Sequence, residues 1–378
     1  MTLWIFDMKT RLKAIASVFF ISLSILFILL SVQPSLGSQD KKPKVILFTE
    51  IDIYYLNDNI KFWGEKVGVN GFFLNHIANW WTPREELFEN LAVLKEVNQK
   101  GAPYGIDRNF IKVALGYKKL PVWTDDKAWE PVIGNFKNIA ELIRQSGTRG
   151  IALDTEPYDD ETPFFDSPGD PAKNIYTGFL KAKIYQRGKQ IMEALESVYP
   201  GMEIIILPEG ALYWFNPEQG SNPKGAELWI DFYNGFAAGR KKGGLVLAAE
   251  RAYVETNKEA ILKIYHLIDK TMREHVEDKK FWQEKCTIAM GMWPLGKSYT
   301  DKSALYSAGK FEEQFAQAVA LSPEYVWIYD HGTAWVQLKN EEIQKYTANN
   351  HPIWAKESQV LPTDPRILDY YQVLKKAR

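Results

Sequence analysis

After Lys44 the chain repeats one plan, in which a short apolar run ends in polar or aromatic residues and a stretch with helical periodicity follows. The apolar runs are Val45–Ile51, Gly71–Asn75, Ile111–Tyr117, Gly150–Glu156, Glu203–Glu209, Leu245–Glu250, Thr287–Trp293 and Tyr325–Asp330. The helical stretches include Pro83–Gln99, Trp129–Gln145, Phe179–Val198, Lys258–His275, Phe311–Ala320 and Asp364–Lys376. Strands that alternate with helices predict an α/β protein with a parallel sheet.

Eight such strands are the number that closes a (β/α)8 TIM barrel, and 378 residues are enough to build one. The alternative is an open doubly wound sheet, which predicts a glycine-rich phosphate turn after an early strand. The sequence has no such turn and no low-complexity linker after Lys44. We therefore predict a single barrel domain over residues 44–378.

The composition of the chain excludes several classes of binding partner and site. Hydrophobic residues make up 46% of the chain and charged residues 25%, with a formal net charge of −1, so a nucleic-acid partner is not expected. Cys286 is the single cysteine, which excludes an intramolecular disulfide and a cluster of thiolate metal ligands. We expect a monomer that needs no cofactor.

The amino terminus has the pattern of a secretory signal. Lys9, Arg11 and Lys13 precede the apolar run Ala14–Val32, and small residues follow, with a plausible cleavage site after Gly37. We predict that residues 1–37 form a signal peptide and that the protein is exported to the periplasm, the cell surface or the medium. The alternative is an uncleaved signal anchor, which needs about 17–25 apolar residues and would attach the protein to a membrane.

Polar and aromatic residues stand where each predicted strand ends. They are Glu50, Asp52, Asn75, His76, Tyr117, Asp154, Glu156, Glu209, Glu250, Arg251, Trp293, Asp330 and His331. In TIM barrels the chemistry is carried at the carboxyl ends of the strands and in the loops that follow. So many carboxylates at one end of apolar strands exceed what packing requires, and they predict a functional site there.

Alternation along the fourth strand indicates which side chains face the barrel interior. Ala152, Asp154 and Glu156 share one face, while the apolar face opposite suits the helix layer. The sixth strand repeats this spacing, with Ala248 before Glu250. We also expect small residues to leave room for a pocket at the barrel top. These are Gly71, Ala114, Gly116, Ala289 and Gly291.

Two carboxyl groups as close as those of Asp154 and Glu156 cannot both ionise freely, so one proton is held more tightly. We assign that proton to Glu156, which would act as a general acid, and leave Asp154 charged. The alternative is a structural one, in which Arg149, Arg251 or a lysine neutralises the two acids.

The segment Arg149–Glu156 resembles the fourth-strand motif of the chitinase-like (family 18-like) glycoside hydrolases, Asp-Gly-x-Asp-x-Asp-x-Glu. Gly150, Asp154 and Glu156 match that motif. The resemblance covers eight residues directly and otherwise the barrel plan. It places the chain beside the TIM-barrel glycoside hydrolases.

The resemblance implies that Glu156 is the general acid and that Asp154 assists the substrate's own acetamido group as nucleophile. Arg149 and Ala152 stand where that family has acidic residues, so the match is partial.

A second mechanism in the same class uses a carboxylate from another strand, about 5–5.5 Å from the first in retaining enzymes and roughly 6.5–9.5 Å in inverting ones. Glu250 is our first candidate because its strand repeats the spacing of a small residue followed by an acid. Glu209 and Asp330 are the other candidates.

Aromatic residues near the strand ends suit a sugar substrate, because the C–H faces of sugar rings stack on indole. The chain has 13 Trp, and we expect Trp80, Trp81, Trp293 and Trp335 to hold sugar rings, with Trp80 and Trp81 exposed. Four further residues are expected to line the subsite: Tyr117, Glu209, Asp330 and His331.

The sequence thus predicts an exported O-glycosyl hydrolase that acts on an oligo- or polysaccharide, with Glu156, Asp154 and Glu250 as catalytic residues. One alternative is a barrel that binds glycan without cleaving it. Another is a metal-dependent hydrolase or deacetylase that uses His76 and His331, although no paired metal-binding histidine motif supports it.

Overall fold

The computed structural model describes residues 42–116, 118, 120–156, 174–209, 226–295, 304–330, 335–336 and 365–376. The predicted signal segment, residues 1–37, lies outside them. Within the described ranges, no helix combines the length and apolar character that crossing a membrane requires.

Eight parallel strands form a closed barrel in the order β1 to β8, each paired with the next and β1 paired with β8. They are β1 Lys44–Thr49, β2 Gly71–Leu74, β3 Phe110–Ala114, β4 Gly150–Asp154, β5 Glu203–Leu207, β6 Val246–Ala249, β7 Thr287–Met292 and β8 Tyr325–Tyr329. The predicted TIM barrel is therefore confirmed, and every predicted run overlaps one strand.

Helices follow the strands on the outside of the barrel. They are α1 Ile53–Phe62, α2 Arg84–Glu89, α3 Leu91–Gly101, α4 Asp126–Ser146, α5 Asn174–Val198, α6 Ala226–Gly239, α7 Lys258–His275, α8 Lys279–Lys285, α9 Ala308–Leu321 and α10 Pro365–Lys376. The prediction missed α1, α6 and α8, and it joined α2 to α3. A π-helix, Trp63–Val67, continues α1, and a 3₁₀ turn, Ala102–Tyr104, follows α3.

Alternation along the strands divides the core into two layers, as predicted. On β4, Ile151 and Leu153 belong to the layer between strands and helices, whereas Ala152 belongs to the barrel interior. On β6, Ala248 also faces the interior. Residues that continue this parity beyond each strand end therefore face the mouth of the barrel.

Two of the small residues do not open a pocket. A Cβ on Gly291 would lie 2.8 Å from Cε2 of Trp327, because the Trp327 indole occupies the space beside that glycine. A Cβ on Gly71 would lie 1.9 Å from the carbonyl oxygen of Arg108. Gly71 therefore permits close backbone approach, and the expectation of a pocket at these two positions is wrong.

Arg149 lies at the opposite end of the barrel from the predicted site. It precedes β4, and its guanidinium pairs with Glu203 at the start of β5, with Nε 2.6 Å from Oε1. Tyr325, at the start of β8, donates its hydroxyl hydrogen bond to the other Glu203 oxygen. Arg149 is thus unable to neutralise Asp154 or Glu156.

Candidate active site

A buried ion pair lies beneath the mouth of the barrel. The ammonium of Lys112, on β3, is 2.9 Å from Oδ2 of Asp154 at the end of β4, and the side chains are 1% and 3% exposed. In the β3–β4 register Lys112 pairs with Ala152 and Asp154 pairs with Ala114, so the two charged residues are diagonal neighbours. For Asp154 the alternative of charge neutralisation by a lysine is therefore the arrangement observed, because Lys112 compensates its charge.

Glu156 is held above this pair. Its backbone N–H donates to Oδ1 of Asp154 at 3.0 Å, so the two Asp154 oxygens contact Lys112 and Glu156. The Glu156 residue itself is half-buried. Asp154 therefore fixes the backbone that carries the Glu156 carboxyl.

Glu250, just after β6, is the carboxyl group that favours a proton. Burial raises the pKa of Glu250 well above its ordinary value, and the charges of Glu156, Asp154 and Glu209 raise it further against the lowering effect of Lys112. The residue as a whole is half-buried. The charges of Glu156 and Asp154 both act on the Glu250 carboxyl, so the three predicted catalytic residues interact electrostatically.

Glu209, at the end of β5, supports Glu250 from below. Its carboxylate accepts the backbone N–H of Glu250 at 2.7 Å and that of Arg251 at 3.4 Å, and Nε of Arg251 lies 3.9 Å away. Its side chain is fully buried, and burial raises its pKa. The expectation that Glu209 lines the subsite is therefore wrong, because it positions the β6 end.

An aromatic cluster stands beside the carboxyl groups. The rings of Tyr253 and Tyr329 are stacked, with centroids 5.5 Å apart and an interplanar angle of 12°. Trp293 is 6.1 Å from Tyr253 and 5.6 Å from Tyr329, and Trp327 lies beneath Tyr253 at 5.0 Å. Burial raises the pKa of Tyr253 well above its usual value, and the charge of Glu250 adds to this.

Tyr253, Tyr329 and Trp327 were not among the predicted site residues. Tyr253 and Tyr329 are half-buried, whereas Trp293 is 6% exposed. The Tyr253–Tyr329 stack thus presents the larger accessible aromatic surface beside Glu250, and Trp293 supports it from the side.

Two of the predicted tryptophans are part of the core. Trp335 is fully buried, and its ring packs 6.2 Å from Phe311 of α9 and 5.9 Å from Tyr370 of α10. Trp80 is 7% exposed and packs edge-on against Trp81 at 5.3 Å. The expectation that Trp80 and Trp335 hold sugar rings is wrong, since their faces are covered, whereas Trp81 is half-buried.

Glu50, Asn75 and His76 form a second polar cluster at the ends of β1 and β2. Asn75 Nδ2 donates to Glu50 Oε1 at 2.8 Å, and His76 Nε2 lies 2.8 Å from Glu50 Oε2. Burial would raise the pKa of Glu50, but the hydrogen bond and charge of His76, with the charge of Lys112, lower it overall. Glu50 is therefore an ionised carboxylate.

Asp330, just after β8, is buried behind Glu50. It accepts hydrogen bonds from the Thr49 hydroxyl and from the backbone of Glu50. Burial raises the pKa of Asp330 well above its usual value, the Thr49 hydrogen bond opposes this, and the charge of Glu50 reinforces it. The expectation that Asp330 lines the subsite is wrong, because its side chain is buried and hydrogen-bonded to Thr49 and Glu50 at the end of β1.

The described residues offer little for a metal ion. They contain no group of three or more His, Cys, Asp or Glu side chains arranged to hold one. Asp52 accepts the backbone N–H of Tyr54 at 2.8 Å as the N-cap of α1. Two predicted site residues, Tyr117 and His331, lie outside the described residues.

Comparisons with known proteins give structural neighbours only. No family model matches the chain, and no curated protein does. Among solved structures, xylanase A of Pseudomonas fluorescens subsp. cellulosa is 12% identical, with a TM-score of 0.48 over 90% of this chain and 99% of that one.

Two other neighbours have different activities. A GH18 chitinase from Pseudoalteromonas aurantia is 12% identical, with a TM-score of 0.42 over 76% of this chain and 94% of the other. D-Psicose 3-epimerase from Clostridium cellulolyticum H10 is 11% identical, with a TM-score of 0.42 over 88% of this chain and 96% of that one. At these identities and TM-scores the neighbours assign neither a family nor an activity to this chain.

Proposed function

We propose that this barrel hydrolyses a glycosidic bond in an oligo- or polysaccharide. The observation that carries the proposal is the pair of carboxyl groups at the barrel mouth, where burial and the charge of half-buried Glu156 raise the pKa of Glu250 well above its ordinary value. Two carboxyl groups in different protonation states are what glycoside hydrolysis requires.

In this proposal Glu250 is the general acid. Its protonated carboxyl donates to the glycosidic oxygen as the bond to the anomeric carbon breaks, and Glu250 is left as the carboxylate. This exchanges the roles assigned from the sequence, where Glu156 was the acid. The reason is that burial and the charges of Glu156, Asp154 and Glu209 all act to keep the Glu250 proton.

Glu156 is then the anionic partner. It stabilises the positive charge that develops on the sugar ring, and it either attacks the anomeric carbon or removes a proton from the attacking water. The Lys112–Asp154 pair holds its backbone in place. The configuration of the first product, measured by proton NMR, distinguishes retention by direct attack from inversion by activated water.

The aromatic cluster supports a sugar in this site. The Tyr253–Tyr329 stack is half-buried and close enough to Glu250 for that carboxylate to raise the pKa of Tyr253. Aromatic faces bind the C–H faces of sugars, and neighbouring polar groups bind the hydroxyls. A substrate acetamido group, as the motif resemblance implies, would stand in for Glu156 as nucleophile.

The test compares Glu250→Gln with Glu156→Gln on two aryl glycosides that differ only in the acidity of the phenol. A poor leaving group needs protonation, and a dinitrophenolate does not. We expect Glu250→Gln to lose about 10²–10⁴-fold in kcat/KM on the poor leaving group and to stay near the wild type on the good one. Glu156→Gln should lose activity on both substrates. The matched control is Glu274→Gln, an exposed glutamate on α7.

Other outcomes of these assays would support one of the alternative functions or roles. The reverse pattern would restore Glu156 as the acid. Glycan binding by a wild-type protein without turnover would indicate the non-catalytic alternative. Loss of activity with a chelator, restored by added metal, would favour the metal-dependent hydrolase that uses His76 and His331.

We further propose that the enzyme is exported by the segment 1–37 and acts as a monomer. Edman sequencing of the mature protein tests the first point. A new amino terminus after Gly37 is expected, and an intact hydrophobic segment in the membrane fraction would indicate an anchor.

A further inference from the structure

Glu50, Asn75 and His76 are joined by a continuous set of hydrogen bonds. Both Glu50 oxygens are engaged, one by Asn75 and one by His76, each at 2.8 Å. The side-chain oxygen of Asn75 in turn accepts the backbone N–H of His76 at 3.1 Å. Three residues from two adjacent strand ends thus fix one imidazole ring in place.

The chemistry of this cluster sets the tautomer of His76. The Glu50 carboxylate is ionised and can only accept, so Nε2 of His76 carries the proton in their hydrogen bond. The other nitrogen, Nδ1, is then left to form a hydrogen bond outside the cluster. Within the part of the chain that the structure describes, Nδ1 has no hydrogen-bond partner, and the His76 side chain is 59% exposed.

The backbone at this position is strained. His76 has φ of 57°, and it is the one non-glycine residue with positive φ among those described. A left-handed conformation is costly for such a residue and persists where the surroundings impose it. Because the ring is largely exposed, core packing does not account for this strain. The conformation instead presents the imidazole at the barrel mouth.

This cluster and the carboxyl pair belong to the same mouth. The charge of Lys112 lowers the pKa of Glu50 and opposes the rise in that of Glu250, so one ammonium acts on both carboxyl groups. The ring of Phe48 links the two sides, 5.2 Å from the Lys112 ammonium and 5.0 Å from the Tyr329 ring.

We propose that Glu50, Asn75 and His76 form a hydroxyl-binding subsite, in which Nδ1 of His76 forms a hydrogen bond with a neutral sugar hydroxyl, a group that can both donate and accept. An anionic ligand would be repelled by the carboxylates of Glu50 and Glu156. A neutral polyol that already contacts Tyr329 extends naturally toward β1 and β2. The inference rests on the proposed function only in taking a glycan as the ligand, because binding at this subsite does not require turnover.

The test measures binding of chitotetraose and of cellotetraose, which share a β-1,4 backbone and differ in the acetamido group. Calorimetry uses the Glu250→Gln protein, with and without His76→Asn. Asparagine tolerates the left-handed backbone and removes the imidazole, so the fold is retained. The matched control is His266→Asn, on an exposed position of α7.

We expect His76→Asn to weaken binding of at least one tetrasaccharide about 5-fold or more, the value of one lost hydrogen bond, and His266→Asn to leave it unchanged. In ¹⁵N-histidine spectra, the same sugar should shift the Nδ1 resonance of His76. Unchanged affinity in His76→Asn, or no binding of either sugar, overturns the subsite. Binding that depends on His76 in a protein without turnover would uphold the subsite while the hydrolase proposal fails.

Discussion

Removing the charge of Lys112 should destabilise the barrel strongly and in a pH-dependent way. The ammonium lies 2.9 Å from Asp154, and both side chains are almost fully buried. At an effective dielectric constant of about 20, the attraction at that distance is about 6 kcal/mol, which largely offsets the desolvation of the two ions. The pair as a whole therefore contributes little net stability, but each member depends on the other.

Lys112→Met leaves the Asp154 carboxylate buried without its cation, and such a loss costs about 3–5 kcal/mol. Uptake of a proton limits the cost. For an aspartate of ordinary reference pKa, protonation costs about 4 kcal/mol at pH 7 and about 1.5 kcal/mol at pH 5. We therefore expect a loss of about 3–4 kcal/mol in the free energy of unfolding at pH 7 and a clearly smaller loss at pH 5.

The assay is denaturant unfolding followed by tryptophan fluorescence at both pH values. The matched control is Lys112→Met combined with Asp154→Asn, which removes both charges and should recover at least 2 kcal/mol of the loss at pH 7. A Lys112→Met protein within about 0.5 kcal/mol of the wild type, or strictly additive losses in the double variant, would refute the reasoning.

Three further predictions concern stability and reactivity. The raised folded-state pKa of Glu250 means that its carboxyl opposes folding at pH values above the ordinary glutamate range. Glu250→Gln should therefore be more stable than the wild type at pH 7 and equally stable below a pH of about 4. Equal stability of the two proteins at both pH values would contradict this. Gly291→Ala should lower the free energy of unfolding by about 1–3 kcal/mol, because the new Cβ would lie 2.6 Å from the Ala249 carbonyl oxygen. Gly134→Ala in α4 should raise it by about 0.5–1 kcal/mol, because a Cβ there would have no atom within 4 Å. Effects of the opposite sign in thermal unfolding would refute the packing account. Burial raises the pKa of Cys286 to about 11, so iodoacetamide at pH 8 should alkylate it roughly 200-fold more slowly than a model thiol, and a rate within tenfold would be contrary.

The barrel and the inward face of its strands could be predicted from the sequence, because alternation is a local property. Ala152 and Ala248 lie in the barrel interior as expected. The sequence also located Glu250 and Glu156 at the same mouth. Their protonation states could not be predicted, because these depend on neighbours from other strands, Asp154, Glu209 and Lys112.

Lys112 carried a signal that the prediction did not use. It is a charged residue within an apolar strand, Phe110–Ala114, two residues from Ala114 and therefore on the same, inward face. A buried lysine requires a partner, and an acid at the end of the next strand is the obvious one.

The aromatic residues were the weakest part of the prediction, because local sequence does not reveal what covers a ring. Trp335 is covered by α9 and α10, which are distant in the chain. Trp327 fills the space left by Gly291, a complementarity between two strands that only the barrel register brings together. The accessible Tyr253–Tyr329 stack likewise joins residues from different strand ends.

The central claim is that burial and the nearby charge of Glu156 together raise the pKa of Glu250 well above its ordinary value. Carbon-13 NMR of the glutamate side-chain carboxyl groups across a pH titration tests it most directly. We predict one resonance that titrates well above pH 4.5, disappears in Glu250→Gln, and moves to lower pH in Glu156→Gln because a neighbouring negative charge is removed. A Glu250 resonance that titrates in the ordinary glutamate range, or one that Glu156→Gln does not move, would contradict the account.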